Sequence, residues 1–291
     1  LTMVIVPVLS ASNVVSDYRI GFKWWALIVA VVFVISETVC VVSVPEKPIE
    51  HSEKTTKVTE MFKSLFRNDQ AMTVVMAVIV YTSINICGNL VLYFFQFDVG
   101  NEGAYSIFAA VAFAAQVLVM MIVPALRRKY TKNQLFIFGF IIQIVGFLLI
   151  LVMAYTNLYS PKTWFILCIP GVMIYLGYGM LNVIMTIFLS DSVDYGEVKN
   201  ATRDESVIFS MQTFTVKLAS GLAVFLAGLV VDWINLDTTV KVQSAKTLTG
   251  LRLWMTVPAI ILLVIGIFVY KSRYKLDDKK MEEIKKQLDQ K

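Results

Sequence analysis

Eight runs of predominantly apolar residues, separated by short polar stretches, constrain this chain more than any other feature. They lie at approximately Leu1–Ala11, Phe22–Val44, Ala71–Phe97, Tyr105–Leu126, Leu135–Tyr155, Trp164–Leu189, Ser206–Val231 and Leu251–Tyr270. A helix needs about 20 such residues to cross about 30 Å of hydrocarbon, and every run but the first meets that length. Outer-membrane barrels are excluded, because their strands are short and alternate apolar with polar residues. A soluble domain is excluded by composition: 57% of the 291 residues are hydrophobic and only 16% charged, against about 25% charged in soluble chains. The fold class is all-α, a polytopic helical membrane protein.

The leading run is too short to span, and it lacks the charged n-region and small-residue cleavage site of a signal peptide. It reads as the end of a helix begun upstream, so an N-terminally truncated chain is expected. Seven complete spans then place the loops alternately on two sides. One side holds nineteen basic residues, in the link Pro45–Gln70, the corner Arg127–Lys132, Lys199, Arg203 and the tail from Lys271. The other holds six: Arg19, Lys23, Lys162, Lys241, Lys246 and Arg252. Basic loops stay in the cytoplasm, so the expectation is a multi-pass protein of the cell membrane with its C-terminus inside. The net charge of +5 belongs to these loops and implies no nucleic-acid partner.

The link divides the chain. Within it Val58, Met61, Phe62, Leu65 and Phe66 form one apolar stripe at helical spacing, which predicts a helix lying along the membrane surface. The expected organisation is a leading segment 1–44, a cytoplasmic linker 45–70, a six-helix bundle 71–270 and a charged tail 271–291. Six spans with both ends inside, after a long link, is the layout of the C-terminal half of a twelve-helix transporter.

Several polar residues sit where lipid would penalise them. Lys217 lies about 11 residues into its span, roughly 17 Å deep at 1.5 Å per residue. A Lys at that depth costs about 2.5–3.5 kcal/mol unless it meets water or a carboxylate. Gln212, Thr213, Val216 and Ser220 share its face. The face borders an aqueous cavity, or else Lys217 is half of an ion pair that fixes packing. Matching stripes run along two other spans: Thr82, Asn85, Asn89, Tyr93 and Gln96, and Tyr175, Tyr178, Asn182 and Thr186. Isolated amides can act as glue between helices, at about 0.6 kcal/mol each. Three aligned stripes read rather as the lining of a hydroxyl-binding cavity whose Tyr rings stack on a sugar.

Glu37, about 10–12 Å from the interface, either reaches up to water or acts in the membrane. Gln116 and Gln143 carry no assigned role. Gly177 and Gly179, with Pro170 before them, read as making their span bendable. No enzymatic centre, metal site or cofactor is expected. Cys40, Cys87 and Cys168 lie in apolar runs without ligand spacing, His51 is the sole histidine, and no GxxxxGK[ST] loop exists. The last candidate is a charged corner, where Asp191, Asp194, Glu197, Asp204 and Glu205 alternate with Lys199 and Arg203. It either pairs with Arg127, Arg128 and Lys129 to close one side of a transporter, or is an exposed loop worth little. The tail beyond it reads as a solvated helix.

The corner also carries a likeness. Asp191-Ser-Val-Asp-Tyr-Gly-Glu-Val-Lys199, then Arg203, Glu205-Ser206 and Ser210-Met-Gln-Thr-Phe-Thr-Val-Lys217, closely resembles the glycoside–pentoside–hexuronide:cation symporters. These are the major-facilitator branch that includes melibiose permease. Leu92-Tyr-Phe-Phe-Gln-Phe97 and the basic corner Arg127–Lys132 resemble it more weakly. The resemblance implies a chain running from the end of helix five through helix twelve of a major-facilitator fold: the last one and a half helices of the N-terminal bundle, then the C-terminal six-helix bundle. It implies symport of a sugar with Na⁺, H⁺ or Li⁺ by alternating access. Lys217 corresponds to the residue beside the cation site that couples it to sugar, and Gln212, Thr213 and Val216 to its cavity-lining neighbours. Asp191, Asp194 and Arg203 correspond to the cytoplasmic gate. Asn182 stands where melibiose carriers have a cavity Trp, which leaves pentosides and uronides open. The acidic cation ligands belong to the missing N-terminal bundle, so this chain alone is not expected to transport. The alternative is a non-transporting membrane sensor or interaction protein.

Overall fold

The computed structural model describes residues 18–43, 66–200, 205–240 and 242–289. The run Leu1–Ala11, Arg203 and all but the last residue of the linker stripe lie outside the described residues. The chain forms two units, Leu1–Thr56 and Lys57–Lys291, which divide inside the stretch read as a linker. In the first, α1 (Tyr18–Ser43) is apolar and exposed along nearly all its length, Glu37 included. Its Ser36 and Thr38 hydroxyls donate back to the carbonyls of Phe33 and Val34, which satisfies them without leaving the helix.

The second unit contains α2 (Asp69–Ser83), α3 (Asn85–Tyr93), α4 (Glu102–Leu126), α5 (Lys132–Tyr155), α6 (Cys168–Asn200), α7 (Glu205–Trp233), α8 (Ala245–Arg273) and α9 (Asp278–Asp289). With α1, the described residues contain seven helical segments long and apolar enough to cross a membrane, matching the seven complete runs of the sequence. One of them, Asp69–Asp98, is broken twice. At its middle the Cys87 amide donates to the Ile84 carbonyl three residues back, at 2.9 Å, which separates α2 from α3. At its end Phe94–Asp98 is a π turn.

Helix ends are set by local chemistry. Thr131 and Gln134 form a reciprocal capping box at the start of α5, and Ser244 caps α8 through the Thr247 amide. Helices α5 and α7 end alike. Asn157 and Asn235 adopt φ of 52°, and the next amide reaches back five residues, Leu158 to Met153 and Leu236 to Val231, in Schellman fashion.

Helix α6 is central, packed along both α5 and α4 and touching α2; α8 packs on α5, α2 and α3, while α7 packs on α2 and α3. Small residues make the central packing tight. A Cβ on Gly177 would fall 2.4 Å from the Gly139 carbonyl oxygen of α5, and one on Gly179 would fall 2.7 Å from the Gln116 carbonyl oxygen of α4. Helix α6 runs unbroken, and its glycines let two backbones approach it. Ala112 and Ala115 of α4 are buried.

Candidate functional site

The helix break at Ile84 and the bare backbone at Gly88 open space on one side of α3. A cavity of about 260 Å³ lies there, walled by α3, α4, α5, α6 and α8. Its polar groups are Asn85, Tyr175 and Tyr178; the rest of its wall is apolar. Tyr81 stacks on Tyr178 with ring centroids 4.6 Å apart, and its hydroxyl donates to the Tyr178 carbonyl at 3.2 Å. Tyr178 is thereby held from behind.

Of the residues in the predicted polar stripes, the structure brings Asn85, Tyr175 and Tyr178 together here. Asn89, Asn182, Gln212, Thr213 and Val216 are not part of this lining. Asn89 is exposed on α3, Thr213 and Lys217 are exposed on α7, and Gln212, Val216 and Ser220 are half-buried. Because α7 packs on α3, these groups belong to neighbouring helices. Lys217 is not sealed inside its own bundle. Gln143, given no role from sequence, is fully buried on α5, and neither of its amide atoms has a partner among the described residues. An unpaired group of this kind costs about 1–3 kcal/mol.

The described first part of the charged corner is helical, since α6 continues to Asn200. Its buried carboxylate, Asp191, pairs with Lys132 at the start of α5, where sequence reading had looked to Arg127, Arg128 and Lys129. Lys132 is 2% exposed and lies 6.0 Å from the Phe188 ring centroid. Beneath it Phe136, Phe188, Tyr270 and Tyr274 form one aromatic cluster, and Tyr270 donates to Asn133 at 2.5 Å. Periodicity would not single out Lys132, because it reads as one more loop charge.

The remaining corner groups spread outward. Lys199 and Tyr195 both donate to Asp69, at 2.5 and 3.1 Å. Asn68 donates to the Ser192 carbonyl at 2.7 Å and caps the Ala71 amide. Arg127 pairs with Asp278 of α9 at 3.2 Å, while Arg128 is exposed and Asp194 and Glu197 are half-buried. Helix α9 is not simply solvated: Leu276, Met281 and Ile284 form a small core against Tyr195, Val198 and Tyr274. All these ion pairs join helices of one bundle.

A second charged centre lies at the opposite end and was not foreseen. The π turn aims Asp98 at Arg252, which donates through Nε at 2.9 Å and through a terminal nitrogen at 2.7 Å. Tyr159, from the α5–α6 connection, donates to the same carboxylate. The Asp98 side chain is 1% exposed. Burial, reinforced by the Asp98 carboxylate, pushes the Tyr159 hydroxyl well above its ordinary range, so it stays a donor. A π turn often marks a functional position. The signal available in the sequence was an acid closing one span and a base opening another on the same predicted side.

The family model for MFS/sugar transport protein matches residues 1–278. Among curated relatives, the raffinose carrier protein of Pediococcus pentosaceus is 25% identical, over 82% of this chain and 37% of its own length. A lactose permease of Leuconostoc lactis is 22% identical over 98% of this chain and 45% of its own. A putative sulfoquinovose importer of Salmonella typhimurium is 27% identical over 87% of this chain and 53% of its own. The chain thus spans about half, or less, of the length of these relatives. These likenesses and the corner motif agree with the all-helical architecture and its polar mid-span residues: the chain belongs to the MFS/sugar transport protein family of the major facilitators.

Proposed function

We propose that this chain supplies the C-terminal bundle of a sugar:cation symporter that works by alternating access together with an N-terminal bundle. One observation carries the reading. Mid-span polar groups are presented from neighbouring helices, with Asn85, Tyr175 and Tyr178 around a cavity and Asn89, Thr213 and Lys217 exposed on α3 and α7. A Lys at that depth needs water or a carboxylate, and Lys217 is exposed on α7 rather than sealed within its own bundle. In this reading Lys217 couples the cation, Na⁺, H⁺ or Li⁺, to the sugar. Gln212, Thr213, Val216, Asn182, Tyr178, Asn85 and Asn89 contact a glycoside, pentoside or hexuronide. Cation binding favours the sugar-competent state, and sugar favours cation binding by the same factor.

Asp191, Asp194, Glu197, Arg203, Arg127 and Arg128 belong to the gate at the tail end, and the excess of basic residues there supports a cytoplasmic side. Asp191 is already committed to Lys132, so Arg128 and the groups beyond α6 would meet the other bundle. The names of the relatives support a carrier rather than an enzyme. The sensor reading needs the corner as a free surface, and the buried Lys132–Asp191 pair weighs against it.

The test is uptake of labelled sugars into vesicles containing the full-length protein, with and without a sodium or proton gradient. Gradient-driven accumulation is expected, and Lys217→Gln should reduce it at least about tenfold while leaving equilibration of sugar intact. Undiminished accumulation by that variant overturns the role of Lys217. Binding without accumulation by the unaltered protein overturns transport.

A further inference from the structure

We infer that the cavity between α3, α4, α5, α6 and α8 is a subsite for the apolar aglycone of a glycoside, a refinement that rests on the carrier reading above. The polar and apolar parts of its wall do different jobs. A sugar ring brings more hydroxyls than Asn85, Tyr175 and Tyr178 can pair, and a buried hydroxyl without a partner is strongly penalised. The inner wall offers such a ring nothing: it is built from Phe108, Phe147, Ile150, Ile174 and Met255. Met and aromatic walls adapt to irregular apolar groups.

Size agrees with chemistry. The cavity measures about 260 Å³, and an apolar protein cavity of about 150 Å³ accepts benzene. Two glycines give it width. A Cβ on Gly171 would fall 2.3 Å from the Phe108 ring, so the missing side chain lets that ring form the wall; a Cβ on Gly88 would meet nothing within 4 Å. Tyr175 and Tyr178, with ring centroids 6.4 Å apart, are both half-buried. They are therefore placed where the glycosidic oxygen would pass from the polar face into the pocket. The occupant is a phenyl or short alkyl group carried on the sugar.

The experiment compares phenyl and methyl glycosides of the same sugar as competitors of labelled-sugar binding to the full-length protein in membranes. Burying the ring should make the phenyl glycoside bind about tenfold tighter. Gly88→Val, whose methyl groups enter open space and which removes a helix-weakening glycine, should bring the phenyl-to-methyl ratio toward one. Gly228→Val, equally unhindered on α7, should leave the ratio as it was. Ile150→Ala should extend the preference to a naphthyl glycoside. A phenyl glycoside no better than the methyl one, or a preference that survives Gly88→Val, overturns the subsite while leaving the carrier reading in place. Absence of binding by any glycoside overturns both.

Discussion

At the α9 end of the bundle, ion pairs among the described residues tie five helices together, graded from the buried Lys132–Asp191 to the half-exposed Lys199–Asp69. At the opposite end one carboxylate, Asp98, receives both Arg252 and Tyr159. The chemistry is the same and the energetics are not. Exposed pairs contribute little singly, because water screens them and long side chains lose freedom in forming them. They break and re-form cheaply, which suits an end that, in the proposed cycle, meets another bundle and parts from it. A carboxylate removed from water has no such latitude: its partner either stays or leaves an uncompensated buried charge. One end is therefore distributed and adaptable, the other concentrated and all-or-none.

The largest effect should come from breaking the concentrated end. Arg252→Leu leaves Asp98 without a counter-charge and should cost about 3–5 kcal/mol, read as a large fall in the thermal midpoint of the purified protein in detergent. A fall no larger than that of an exposed pair would mean that water reaches Asp98. Next comes the innermost pair of the other end. Lys132→Met should cost about 3 kcal/mol, and adding Asp191→Leu should restore most of it, because an apolar pair of similar size is tolerated where half an ion pair is not. Failure of the double variant to recover would show that the charges, and not the space they fill, organise the α5–α6 contact. The smallest effect belongs to Lys199→Ala, which should cost about 0.2–1 kcal/mol and less still in high salt. A salt-independent loss comparable with Lys132→Met would erase the contrast between graded and concentrated ends.

Some of this was legible beforehand. Span lengths and the polar stripes follow from single segments, and Asn85 and Tyr178 do line one cavity. The acidic corner was visible as a motif, yet its true partner was not, because Lys132 lies 59 residues from Asp191 and looks like its basic neighbours. Asp98 and Arg252 are 154 residues apart and were invisible as a pair. Gly177 and Gly179 could be read as small residues, but what they touch could not, for a related reason. A glycine's effect on its own helix is local, but a close approach depends on the neighbouring backbone, here the carbonyls of Gly139 and Gln116.

The amino-acid order alone decided how many described segments are long and apolar enough to cross a membrane and roughly where each lies. In hydrocarbon every backbone amide must find its partner within its own segment, which makes spanning a property of consecutive residues. Which charges meet, where the π turn aims its carboxylate and how three side chains come to rim an apolar pocket were decided only by packing. Those outcomes depend on distances between helices remote in the chain, and no run of neighbouring residues encodes them.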